Sequence, residues 1–189
     1  MEHRTSFGVP HRKMAMWVFI ASECMFFGSL IATYLAYEGR SLSGPTPEEI
    51  LNIPLTSVST FVLLMSSLSM VLALDAVQRD DRLWAKVWTG GVIFLGGLFL
   101  AGQVYEFTHF YHEGLTLEAN LFGATFFVLT GFHGAHVTVG VVWMTTLLVM
   151  MFRGTLGPDR ATDVEVAGLY WHFVDVVWIV IFTLVYLIQ

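Results

Sequence analysis

Residues 120–152 read NLFGATFFVLTGFHGAHVTVGVVWMTTLLVMMF, a run that meets no charged side chain until Arg153. About 20 apolar residues span the hydrocarbon core of a bilayer as a helix. This run is longer, so it spans with tilt or projects past the bilayer. At its centre stands Thr130-Gly131-Phe132-His133-Gly134-Ala135-His136-Val137-Thr138-Val139-Gly140. His133 and His136, three residues apart, fall toward one helical face, and Gly131 and Gly134 let a neighbouring backbone come close. Ionisable groups inside a membrane are rare and usually face a packed interior, so the two histidines call for an explanation.

The composition agrees with a membrane setting. The chain is 56% hydrophobic and 13% charged, with mean hydropathy +0.68, whereas ordinary soluble domains carry roughly 25% charged residues. Charges this sparse do not wet the surface of a soluble domain of 189 residues. A net charge of -6 argues against nucleic acid, which takes a basic surface. The single cysteine, Cys24, excludes an intrachain disulfide framework and reads as a small hydrophobe. No internal repeat or low-complexity segment stands out. Arg4, Arg12 and Lys13 precede an apolar run that lacks an A-x-A-like cleavage site, so the run reads as a first transmembrane helix rather than a secretory signal.

Five apolar segments follow one another, at about 14–37, 55–78, 86–107, 120–152 and 166–189. They predict an all-α integral membrane bundle forming a single transmembrane domain over 1–189. Between the first two spans, Thr46-Pro47-Glu48-Glu49 predicts a short helix, with an N-cap threonine, proline at the first helical position and glutamate three residues after the cap. The serines of the second span bond back to the preceding turn or across to a neighbouring helix. Near its end Asp75 and Arg79 form an acid-then-base pair one turn apart, an interfacial ion pair. Gly90, Gly91, Gly96, Gly97 and Gly102 mark the third span as a tightly packed helix. His109 and His112 fall on the connection after it and read as solvated. Orientation follows from the basic residues: Arg4, Arg12, Lys13, Arg79, Arg82, Lys86, Arg153 and Arg160 fall on one side of this arrangement, and only Arg40 on the other. The N-terminus is therefore expected inside and the C-terminus outside.

At about 1.5 Å per residue, Glu23 lies roughly 13 Å from the inner end of its helix, and His172 and Asp175 about 8 to 14 Å from theirs. With His133 and His136 they are candidates for one buried polar cluster in the inner half of the bundle, while Glu106 lies near the outer end. Three readings are open for the cluster. Carboxylate and imidazole groups pair so that none is left bare in hydrocarbon. Alternatively, His133-x-x-His136 with His172, Asp175 and Glu23 supplies ligand types for a metal or haem, although the paired Glu-x-x-His motif of di-iron bundles is missing. Finally, intramembrane Glu, His and Asp chains serve proton movement in pumps.

Four stretches give the chain a family likeness. Trp17 to Gly28 reads W-V-F-I-A-S-E-C-M-F-F-G, and Gln103 to Phe107 reads Q-V-Y-E-F. The segment ending at Val137 reads F-F-V-L-T-G-F-H-G-A-H-V, and Tyr170 to Trp178 reads Y-W-H-F-V-D-V-V-W. In this order they resemble subunit III of the haem-copper respiratory oxidases, in a short five-helix bacterial form whose first span resembles the third of the seven-span members. The resemblance implies an accessory subunit of a proton-pumping terminal oxidase in the bacterial cytoplasmic membrane, beside the catalytic subunit I. It would carry no haem, copper or other redox metal of its own and would support stability and proton uptake. Glu23 corresponds to the family's buried helix carboxylate, His133 and His136 to its paired histidines, His172 and Asp175 to its terminal motif, and Glu106 to its outer-end motif. Phospholipid is an implied ligand, though the N-terminal pair of spans that helps form the family's lipid cleft is missing. Both cytochrome c and quinol oxidases have such a subunit, and the motifs point to the cytochrome c type. A stand-alone proton-coupled transporter is the rival of another class; five spans without a repeat speak against it.

Overall fold

A computed structural model describes residue 8 and residues 10–40 and 51–188. The expected short helix at Thr46-Pro47-Glu48-Glu49, together with Arg4 and Gln189, lies outside the described residues. Five long helices make up the fold: α1 His11–Tyr37, α2 Ile53–Gln78, α3 Arg82–His112, α4 Leu121–Phe152 and α5 Ala161–Phe182. A 3-10 turn, Pro158–Arg160, leads into α5, and a π-helical turn, Thr183–Leu187, closes it. All five are long and apolar enough to cross a membrane, and the chain is a multi-pass, all-helical membrane protein.

Local chemistry sets the helix ends. Asn52, Asp81 and Asn120 are N-caps whose side-chain oxygens accept from the amides of Leu55, Trp84 and Gly123, satisfying backbone donors that the helix leaves unpaired. At the other end, α3 and α4 stop at Gly114 and Gly154, with φ of 87° and 69°. The amides just beyond, Leu115 and Thr155, bond back to the carbonyls of Phe110 and Met150, the six-to-one closure that a left-handed residue permits. Several boundaries lie beyond the apolar runs. Helix α3 continues to His112, so His109 and His112 sit on its last turn rather than on a connection, and α5 begins at Ala161, five residues before 166. Backbone hydrogen bonding carries a helix through polar residues until a cap stops it, whereas hydropathy ends where the membrane does.

Helix α5 is the spine. It packs on α1, α2 and α4, while α3 bridges α2 and α4, and α1 lies against α4 and α5. Trp171 of α5 is fully buried. A Cβ at Gly96 of α3 would stand 2.6 Å from its ring, and one at Gly140 of α4 would stand 2.7 Å away. Only hydrogen at both positions leaves room for the ring. The indole Nε1 donates to Ser66 Oγ of α2 at 3.0 Å, and the Ser66 hydroxyl in turn donates to the Leu63 carbonyl. One side chain thus joins four helices. About two turns further on, Trp178 Nε1 donates to Thr60 Oγ1 at 3.0 Å, and Thr60 donates to the Thr56 carbonyl.

Adding a methyl group at Gly96 or Gly140 pushes a ring that its hydrogen bond prevents from sliding away. Gly96→Ala and Gly140→Ala are each expected to destabilise the bundle by about 1–3 kcal/mol, the usual penalty of overpacking. Gly97→Ala, where a Cβ meets open space, is expected to leave stability unchanged, all three being measured as unfolding midpoints in detergent.

Candidate functional site

The polar residues inside the bundle sort into three places. The first joins α1 to α4. Glu23 Oε2 lies 3.3 Å from His136 Nε2, and both side chains are largely but not fully covered. The other ring nitrogen, His136 Nδ1, is 2.7 Å from the Phe132 carbonyl. A carbonyl only accepts, so Nδ1 carries a proton and Nε2 is left facing the carboxyl group. A further proton on Nε2 makes an imidazolium–carboxylate pair, and one on Glu23 makes a neutral acid–imidazole pair. Either way the couple has no net charge, the arrangement an apolar surrounding tolerates best. Tyr170 of α5 donates to the His136 carbonyl at 2.9 Å, fixing the height of α4 against the spine. A groove between α1 and α4, lined by Phe19, Phe132, Val139 and Trp143 among others, opens beside His136.

The second place holds His133. It faces away from Glu23 and is fully buried, with its ring stacked on Trp178 at 4.8 Å and meeting the edge of Phe99 at 5.9 Å. Neither ring nitrogen has a hydrogen-bond partner among the described residues. Three residues turn an α-helix by about 300°, leaving His133 and His136 roughly 60° apart. On a helix wedged between α1 and α3 that angle is enough to send the two rings to different neighbours. Beside His133, Gln103 of α3 donates to the Thr130 carbonyl at 2.8 Å, in space that a Cβ on Gly134 would fill.

The third place lies between α2 and α5, where Ser67 Oγ contacts both His172 Nδ1, at 2.9 Å, and Asp175 Oδ2. The expected single cluster is thus divided: Glu23 with His136, His172 with Asp175, and His133 alone in an aromatic box. Nearer the C-terminal end of α3, Glu106 Oε1 is 2.8 Å from Thr56 Oγ1, and the buried Tyr186 hydroxyl faces the same carboxyl without a well-aligned hydrogen bond. Asp75 and Arg79 are 2.9 Å apart on exposed α2. Among the described residues no three His, Cys, Asp or Glu side chains converge as a metal ligand set.

Sequence reasoning passed over several partners. Ser67, Thr56 and Thr60 are ordinary residues in apolar helices, and only their helical phase relative to the tryptophans and acids could have marked them, while Tyr170 opens a quoted motif without its partner being evident. The N-terminal ends of α1 and α5 are tied by Arg12–Asp163 and Lys13–Glu165. Here Arg12 and Lys13 had signalled orientation alone.

Replacing His133 with Phe keeps both ring contacts and is expected to cost less than about 1.5 kcal/mol, as a volume-conserving swap. His133→Ala leaves a cavity and is expected to cost about 3 kcal/mol or more. Equal losses for the two variants, read as unfolding midpoints, would show that the ring nitrogens matter.

Comparison with known proteins covers nearly the whole chain. Residues 3–189 match the family described as cytochrome c oxidase subunit III. A quinol oxidase subunit 3 of Bacillus subtilis (strain 168) is 37% identical over 92% of this chain and 85% of its own length. A cytochrome c oxidase subunit 3 of Bacillus sp. (strain PS3) is 39% identical over 92% and 84%. Another, of Corynebacterium diphtheriae, is 37% identical over 91% and 85%.

Proposed function

The chain belongs to the cytochrome c oxidase subunit III family, and from that premise we propose how it serves an accessory role in a terminal oxidase. It works as one transmembrane domain in the bacterial cytoplasmic membrane, beside a catalytic subunit I that holds the haem and copper and reduces oxygen to water. This chain takes no part in the redox chemistry. The observation that carries this reading is the co-linear family match from residue 3 to residue 189. Lipid fills the remaining surface. The Lys and Arg distribution supports an N-terminus on the cytoplasmic side.

Within the complex, Glu23 and His136 support proton uptake from the inner side. The couple exchanges a proton between its two sites without changing net charge, and its carboxyl group is carried on α1, the least buried of the five helices. Oxidation of cytochrome c by the complex is the main reading. Quinol as the donor is the second reading, favoured by relatives of that name at similar identity; assaying the purified complex with both donors separates them.

Purification of the tagged chain from its native membrane is expected to bring down a larger haem-bearing protein, while the isolated chain shows no haem absorption. Haem in stoichiometric amount on the isolated chain would overturn the accessory role. Glu23→Gln is expected to leave this complex assembled but to change proton pumping or to shorten activity during sustained turnover. A complex that falls apart instead would mark Glu23 as purely structural.

A further inference from the structure

Ser67 lies near the middle of α2, and His172 and Asp175 near the middle of α5 with its closing turn. For helices of this length that is the depth of the hydrocarbon core. The Ser67 hydroxyl has one proton and two polar neighbours, His172 Nδ1 and Asp175 Oδ2. It donates to one and accepts from the other, so a hydrogen-bond chain runs through all three residues. One end is buried, since Asp175 is 3% exposed. The other end is not. His172 is only partly covered, and its Nε2 makes no hydrogen bond among the described residues, nor is it one of the buried unpartnered atoms.

The surface around this ring is hydrocarbon. Leu64, Leu68 and Val71 of α2 and Val176 and Ile179 of α5 are all exposed. Helix α1, on the other flank of α5, has α4 and α5 as its main neighbours rather than α2, so this stretch of α5 is open between α1 and α2. An imidazole nitrogen facing hydrocarbon forfeits a hydrogen bond, and the short side chain does not reach the headgroups as lysine or arginine does. A lipid does not repair this. Its acyl chains carry no hydrogen-bonding group, and its headgroup lies at the interface. A protein helix crossing at that depth does.

We infer that the α2–α5 face centred on His172 docks a transmembrane helix of another subunit of the oxidase, which sets a hydrogen-bonding side chain against His172 Nε2. The inference rests on the oxidase-subunit reading given above. The polar atom fixes the depth and rotation of the partner helix, and the aliphatic residues around it exclude lipid.

The test uses the complex in its native membrane. Val176 and Leu68 are replaced, one at a time, by a benzophenone-bearing residue, with Phe94 of α3, which is 69% exposed, as the control position. Irradiation is expected to join positions 176 and 68 to a membrane segment of another oxidase subunit, identified by mass spectrometry, and to give no such product at position 94. Products with lipid alone, or with a second copy of this chain, in a preparation that still carries haem overturn the docking face while leaving the accessory role intact. A preparation without any haem-bearing partner overturns both. In parallel, His172→Phe is expected to weaken retention of the chain in the complex during detergent washing by about threefold to tenfold, the range of one interhelical hydrogen bond in a membrane. His172→Gln, which still presents a polar group outward, is expected to restore most of it; equal loss in both variants overturns the hydrogen bond to Nε2.

Discussion

The bundle depends on the indole of Trp171 lying flat in a slot that two glycines open and one serine locks. In a membrane, burying apolar surface against a neighbouring helix gains little, because lipid is as apolar as the neighbour. What remains is close packing and interhelical hydrogen bonding. Trp171 uses both: its ring fills the space left by the missing side chains of Gly96 and Gly140, and its N–H reaches Ser66. Ser66 and Thr60 accept from tryptophans of α5 while donating to their own helix, so each hydroxyl is used in both directions. The register of α5 against α2 is set twice over, and α3 and α4 are brought to the same axis.

That rigid spine explains why the polar groups separate as they do. Trp178, held by Thr60, presents a ring face on which His133 stacks. Tyr170, one residue before the pinned Trp171, reaches the His136 carbonyl and fixes the point at which α4 presents its second histidine to α1. Helix α1 has no comparable indole lock. It is held by Glu23 with His136 at mid-depth and by ion pairs with α5 at one end. Glu23 is therefore carried on the least buried helix, against a framework held together by other contacts.

The helices were legible because a membrane span is a property of composition over length, and composition is written locally. Residues 120–152 announce a helix whatever surrounds them, and the motifs around Glu23, the two histidines and the terminal Trp-His-Phe-Val-Asp element carry the family likeness. Helix ends were less legible: α3 runs on through His109 and His112 until Gly114 closes it, since a cap, not a change in hydropathy, terminates hydrogen bonding. The partners of the buried polar residues were not legible. Ser67 and Thr56 differ in nothing local from the serines and threonines that bond only to their own helix, as Ser57 does.

By itself, then, the sequence determined five membrane helices, their polar cargo and the family to which they belong, because apolar length and motif identity need no knowledge of neighbours. Only the tertiary structure decided that His133 and His136, three residues apart, serve different surroundings. A turn of roughly 60° on a helix packed on both sides gives one ring to Trp178 and the other to Glu23, and how neighbouring helices are phased is settled by side chains distant in sequence, above all by Trp171 in its slot.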